Sequence, residues 1–276
     1  MIKDIVVNLS VAPAHDVAGD FAGSIAAAFE AHLAGIAFVY EPVPPAVPVR
    51  SIPPDILAGL RREKVDAARE AVAKFDQLAQ RAGLSFESRM VDTTFVGASD
   101  LFGRIARRFD VSVVGQAPPD RLAPEGLIAE VALFESGRPV VIVPYIQKEA
   151  LQLDRTMVCW DGSRPAARAI ADAMPFLKRA KTIEVVVVAN DHGKGDEIPG
   201  ADIAHHLARH GLKVEVERIV SPDMDVANTL LSHAADTSAD FMVMGGYGHS
   251  RLREFILGGA TRGILTTMTI PTLMSH

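Results

Sequence analysis

One order of segments occurs twice in this chain, and that repetition constrains its fold more than any other feature. "KDIVVNLS" (3–10) corresponds to "RTMVCWDGS" (155–163), each an apolar strand running into a small-residue helix. "HLAGIAFVY" (32–40) corresponds to "TIEVVVVAN" (182–190), and "AGLSFESRMVD" (82–92) to "HGLKVEVERIVS" (210–221). "FDVSVVGQ" (109–116) answers "ADFMVMGG" (239–246), and "SGRPVVIVP" (136–144) answers "MTIPTLMSH" (268–276). Five strands in the same order, met twice, indicate an internal duplication.

Helical patterns fill the gaps, at 16–31, 57–82, 97–108 and 124–136, then at 164–179, 200–210, 224–237 and 260–267. Nearly all-apolar strands alternating with helices predict parallel sheets covered on both faces. The expected fold is α/β: two tandem doubly wound domains, 1–145 and 154–276, each a five-stranded parallel sheet flanked by helices. A ligand crevice is expected at the carboxyl ends of the strands, where the strand order reverses. The last strands, 139–143 and 270–275, are apolar and would be bare sheet edges, so the domains are expected to pair through them as a pseudo-dimer. Residues 145–154 form the linker, and the proline-rich insertion 41–55 reads as an ordered surface loop.

Composition narrows the function. A formal net charge of −6 with no basic patch argues against a nucleic-acid partner. A single cysteine, Cys159, excludes an internal disulfide framework. No apolar run approaches the roughly 20 residues that span a bilayer, and the N-terminus enters a strand directly, so a cytoplasmic location without membrane is expected.

The motif "MVMGGYGHSRLREFILGGATRGIL" (242–265) carries the clearest chemistry. Gly245 closes a buried strand, Gly248 follows three residues later, and Gly258, Gly259, Ala260 and Thr261 lead into the last helix. Glycines let backbone N–H groups approach an anion, and a helix N-terminus adds unsatisfied donors and a partial positive charge. As a lone feature such a loop could equally be turn punctuation. The spacing is not that of the Rossmann fingerprint, and no Gly-Lys-Ser/Thr follows.

A strand, then G-x-x-G, then nine residues, then Gly and a small residue at a helix start resembles the ATP-binding motif of the universal stress protein family. The resemblance runs along the whole chain as a tandem pair, and "VCWDGSRPAARAI" (158–170) is similar to that family's first strand and Asp-Gly-Ser turn. It implies an adenine nucleotide alpha hydrolase-like fold binding ATP, with or without magnesium, in the second domain. By this resemblance Asp161 and the backbone at Cys159 meet the adenine, and Ala189 and Asn190 add backbone contacts to the base. Gly245, Gly246, Tyr247, Gly248, His249, Ser250 and Arg251 line the ribose and phosphates, and Gly258, Gly259, Ala260 and Thr261 hold the phosphates. Gly259 departs from the pattern, standing where the family usually has Ser or Thr. The implied role is a nucleotide-responsive module in stress survival. The alternatives are a slow ATPase or nucleotide-processing enzyme, and a ligand-free scaffold.

The first half acts as a control. "VVGQAPPDRLAPEGLIAEV" (113–131) keeps Gly115 but has Pro118, without an N–H, at the place of the second glycine, and no glycine pair opens its final helix. "NLSVAP" (8–13) replaces the Asp-Gly-Ser turn and has no carboxylate at the position of Asp161. One nucleotide per chain is therefore expected. Ser163, before a helix with Pro165 in its first turn, reads as an N-cap, and Asp161 as functional. His206 and His210 stand one turn apart, a spacing open to metal, but no third ligand is near and no metal site is assigned. No catalytic residue is assigned either, since His249 is the one candidate beside the phosphates. A homodimer of the whole chain stays open.

Overall fold

The computed structural model describes residues 1–11, 16–41, 54–117, 123–189, 200–220, 225–246 and 259–276. In the first half they form β1 (Asp4–Leu9), α1 (Val17–Phe29), β2 (His32–Tyr40), α2 (Pro54–Arg81), β3 (Phe86–Thr93), α3 (Phe95–Ala106), β4 (Val111–Gly115), α4 (Pro124–Glu135) and β5 (Val140–Val143). The second half follows with β6 (Arg155–Cys159), α5 (Arg164–Leu177), β7 (Thr182–Ala189), α6 (Ala201–Arg209), β8 (Val214–Val220), α7 (Val226–Asp236), β9 (Phe241–Gly245), α8 (Ala260–Thr267) and β10 (Thr272–Ser275). Residues 42–53, most of the proline-rich insertion, lie outside the described residues.

The ten strands form one sheet in the order β3-β2-β1-β4-β5-β10-β9-β6-β7-β8. Each half is parallel, and the two meet at a single antiparallel pair, with Thr272 opposite Ile142, Leu273 opposite Val141 and Met274 opposite Val140. The expected junction through the last strands is therefore present. Strands buried on both faces need apolar side chains in both directions, which is why β5 and β9 read as hydrophobic runs and β4 is broken only by the buried Ser112. The edge strand β8 alternates over its first half, while the other edge strand, β3, exposes the adjacent Arg89 and Met90.

Helices cover both faces and make two cores that ignore the boundary between the halves. One core gathers α1, α2, α5 and α6 residues, including Phe21, Phe75, Phe176 and Leu207. The other gathers α3, α4, α7 and α8, including Phe102, Leu133, Leu230 and Ile264. Phe29 of α1 meets Phe176 of α5 edge to face at 5.0 Å, and Phe176 stacks on Phe241 of β9 at 5.2 Å.

The duplication extends to single hydrogen bonds. Asp110, just before β4, accepts from the N–H groups of Lys3 and Asp4 at 2.7 and 3.1 Å. Asp240, just before β9, accepts from Asp154 and Arg155 at the same two distances. In both halves a carboxylate ties the start of the fourth strand to the start of the first. Burial pushes the Asp240 carboxyl above its ordinary range, against these bonds, which favour the charged form.

Candidate functional site

In the second half β6 lies between β9 and β7, so the chain leaves β6 in one direction and returns to β9 from the other. The crevice therefore opens at the carboxyl ends of β6 and β9, as expected of a doubly wound sheet. Cys159 ends β6, Ala189 ends β7 and Gly245 ends β9, which gathers three of the sequence-predicted residues at one rim. Gly259 caps α8, so Ala260 and Thr261 begin a helix at that same rim. Asn190 and the segment from Tyr247 to Gly258, with Gly248, His249, Ser250 and Arg251, lie outside the described residues.

The turn after β6 is built by two side chains. Ser163 caps α5, its Oγ accepting from the Ala166 N–H at 3.2 Å, as its position before Pro165 predicts. Asp161 Oδ1 accepts from the Ser163 N–H at 2.9 Å, so it closes the turn while its side chain stays exposed. Trp160, half-buried, is anchored through its N–H to the Val186 carbonyl at 2.9 Å and packs against the core. Burial and the neighbouring Asp161 push the Cys159 thiol up to about 12, which favours its neutral form.

Two of the motif's glycines have a packing role that sequence reading missed. A Cβ on Gly245 would fall on the backbone of Pro165 and Ala166, where the first turn of α5 crosses the end of β9. A Cβ on Gly246 would lie 2.6 Å from Leu133 Cδ2 of α4, across the junction between the halves. At Gly115, the counterpart of Gly245, the nearest atom is Ala18 Cβ at an ordinary 3.7 Å. Simple punctuation is needed equally in both halves, but close approach is not. Gly245 has a glycine counterpart in Gly115, and the presence of Gly246 where the first half has Gln116 is accounted for without a ligand.

α8 differs from α4 where an anion would sit. Neither helix start carries a side-chain cap hydrogen bond, but the first turn of α8 holds no acidic residue. α4 has Glu125 in its first turn, a carboxylate at the helix end that attracts anions; burial pushes the Tyr40 phenol upward, and the Glu125 charge adds to that. Thr261 is only 3% exposed, so its side chain faces inward. Pro118 lies outside the described residues, and Glu125 is the feature of the first half that the described structure supplies instead.

A second correction concerns the first-half turn. Val7 pairs with Val113 and Val158 with Val243, so Ser10 occupies the place of Asp161, and no carboxylate stands at that position. Yet Asp16, the cap of α1, reaches back into the same turn. Its Oδ2 accepts from the Ser10 N–H and its Oδ1 from the Gly19 N–H, both at 3.2 Å. The two halves close equivalent turns with the acceptor and donor positions exchanged. The intervening residues 12–15 lengthen the first-half loop, which hides the correspondence in the sequence.

The rings of His206 and His210 meet edge to face at 4.9 Å on α6. Among the described residues no group of three His, Cys, Asp or Glu side chains converges as a metal site would require. No helix among them is long and apolar enough to cross a membrane.

The comparisons with known proteins agree with this architecture. Residues 152–276, the half that carries the glycine motif, match the universal stress protein family. A universal stress protein of Synechocystis sp. is 23% identical over 211 residues, covering 75% of this chain and 71% of its own. The crystal structure of a universal stress protein from Archaeoglobus fulgidus superposes with a TM-score of 0.74 at 16% identity, covering 99% of this chain and 96% of the other. A functionally unknown protein from Pseudomonas aeruginosa follows with a TM-score of 0.61 at 14% identity, covering 99% and 92%. The fold is thus that of universal stress proteins, a parallel-dominated sheet between two helical layers. The chain is a tandem two-domain, universal-stress-protein-like protein.

Proposed function

We propose that the second half, residues 154–276, binds one ATP per chain and that the protein acts as a nucleotide-responsive binding module in stress survival. The observation that carries this reading is the start of α8. Gly259 leaves the first amides of that helix without a side-chain cap hydrogen bond, and no acidic residue stands in its first turn, at the same rim as Asp161, Cys159 and Ala189. Those amides would take the phosphates, with Gly248 and Gly258 of the motif supplying further donors. Asp161 has one oxygen in the turn and the other available to the adenine amino group. Magnesium would accompany the phosphates and supply charge neutralisation there.

In the first half, domain 1–145 of this reading, Glu125 holds a negative charge at the matching helix start, which opposes a second nucleotide. Titration calorimetry of the full chain with ATP tests both statements. It should saturate at one equivalent, and Gly248→Val should abolish the heat without a change in melting temperature. Two equivalents would overturn the asymmetry, and no binding would overturn the assignment.

The packing of Gly245 and Gly246 favours a second reading, a ligand-free scaffold in which the glycines serve contact alone. Absorbance at 260 nm carried through purification separates the two, since a scaffold retains no nucleotide. Phosphate release from ATP by the purified chain would identify the enzyme alternative.

A further inference from the structure

The described residues that flank positions 247–258 of the glycine motif both reach the first half of the chain, one through the C-terminal residues and one directly. Before the motif, the Gly246 N–H donates to the Ser275 carbonyl at 2.8 Å, and its carbonyl is bonded by His276 Nδ1 at 2.9 Å. The His276 ring stands edge to face on Phe134 of α4 at 4.8 Å. After the motif comes α8, and its last turn meets the first half again. Gln116, directly after β4, donates from Nε2 to the carbonyls of Leu265 and Thr266 at 3.1 and 3.0 Å.

Those carbonyls belong to the final turn of a helix, where no intrahelical partner exists. Gln116 is itself fixed on every side. It is 4% exposed, its N–H donates to the Val143 carbonyl at 2.7 Å, and its Oε1 accepts from the Tyr145 N–H at 3.3 Å. The corresponding residue of the second half is Gly246, which has no side chain to reach α4, and Leu133 fills that space instead. The tie from position 116 to the helix that follows the motif therefore has no counterpart from Gly246 to α4.

We propose that Gln116 is a positioning residue for the nucleotide site of the second half. It fixes α8 by its C-terminal carbonyls and thereby sets the amides of Ala260 and Thr261 at the other end. α8 has only eight residues, about 12 Å of rise, so a shift or rotation at one end reaches the other as a rigid unit. Its packing leaves that freedom to be removed: a Cβ on Gly263 would lie 2.5 Å from Ala227 Cβ of α7, which fixes the crossing point, and Gln116 fixes the register along the axis. The inference rests on the assignment of ATP to this site, and one measurement is independent of that assignment.

The test compares Gln116→Leu and Gln116→Glu with the unaltered full chain. In nucleotide-free protein, the amide resonances of Ala260 and Thr261 should shift in Gln116→Leu together with those of Leu265 and Thr266. Resonances of Met242 and Val243 in β9 should stay in place. ATP affinity should fall about tenfold, the loss expected when one displaced amide no longer meets a phosphate oxygen. Gln116→Glu, which can donate only when protonated, should recover affinity as the pH is lowered. Phe21→Leu, a change in the core of the opposite helical layer, should lower the melting temperature and leave affinity unchanged. Unmoved amides at Ala260 and Thr261 in both Gln116 variants would overturn the positioning role, whatever happens to ATP. Moved amides in a chain that never binds ATP would uphold the positioning and overturn the nucleotide assignment alone.

Discussion

Asp16 is the residue whose environment most directly predicts a measurable behaviour. Burial pushes its carboxyl from 3.8 up to about 6, opposed by the bonds from Gly19 and Ser10 and reinforced by the charge of Asp20. The folded chain then keeps this proton until about pH 6, whereas the unfolded chain releases it near pH 4. Between those values folding takes up a proton, so stability falls as the pH rises through the window. The full effect is on the order of 2–3 kcal/mol, reached above pH 6 and absent below pH 4. Asp16→Asn keeps an acceptor for the turn and removes the titration. The stability difference between variant and parent, measured by urea denaturation, should therefore move in favour of the variant from pH 4 to pH 6.5. A difference that is constant with pH would show that Asp16 ionises freely. Sequence comparison could not reach this residue, because position-by-position matching ends at Ser10. Only the fold brings a carboxylate from the helix cap back to that turn.

At the scale of elements, the same glycine position has opposite requirements in the two halves. Alanine at position 245 must displace the backbone of α5, an overpacking that costs typically 1–3 kcal/mol. At position 115 the added methyl meets ordinary contacts, and the reduced freedom of the unfolded chain should stabilise by about 0.4–1 kcal/mol. Urea midpoints of Gly245→Ala and Gly115→Ala should thus shift in opposite directions, and equal shifts would remove close approach as the reason for Gly245. The ten strands and eight helices of the described residues were legible in the sequence because each depends on local pattern. Apolar runs mark buried parallel strands, and the Ser163-x-Pro165 pattern marks a helix start that the structure places at Arg164. The distance between α5 and β9 has no such local sign. It follows from how two elements cross, so the glycine that permits the crossing looks identical to one that binds an anion. Glu125 was in view in the sequence, but its meaning as a charge at a helix end depends on α4 beginning at Pro124.

For the whole molecule, the two shared cores and the continuous sheet imply one cooperative unit rather than two beads on a linker. Trp160 is the only tryptophan, so its fluorescence reports on the second half alone, while circular dichroism reports on the entire chain. Phe102→Ala empties a fully buried site in α3 of the first half and should cost about 3–5 kcal/mol. The Trp160 transition should move down with the dichroism transition, and a stationary Trp160 midpoint would mean the halves unfold independently. The junction that joins them is also unlike a junction between two separate identical chains. There each strand must complement a copy of itself, but here Val140, Val141 and Ile142 meet Met274, Leu273 and Thr272. Covalent tethering holds the partner at a fixed local concentration that dilution cannot lower. Substitutions on one side of the seam need not suit both sides, and a copy of the gene segment released from ligand duty keeps its neighbour. A fused pair can therefore divide labour, one copy drifting into the role of a permanent subunit while the other continues to change with its cargo.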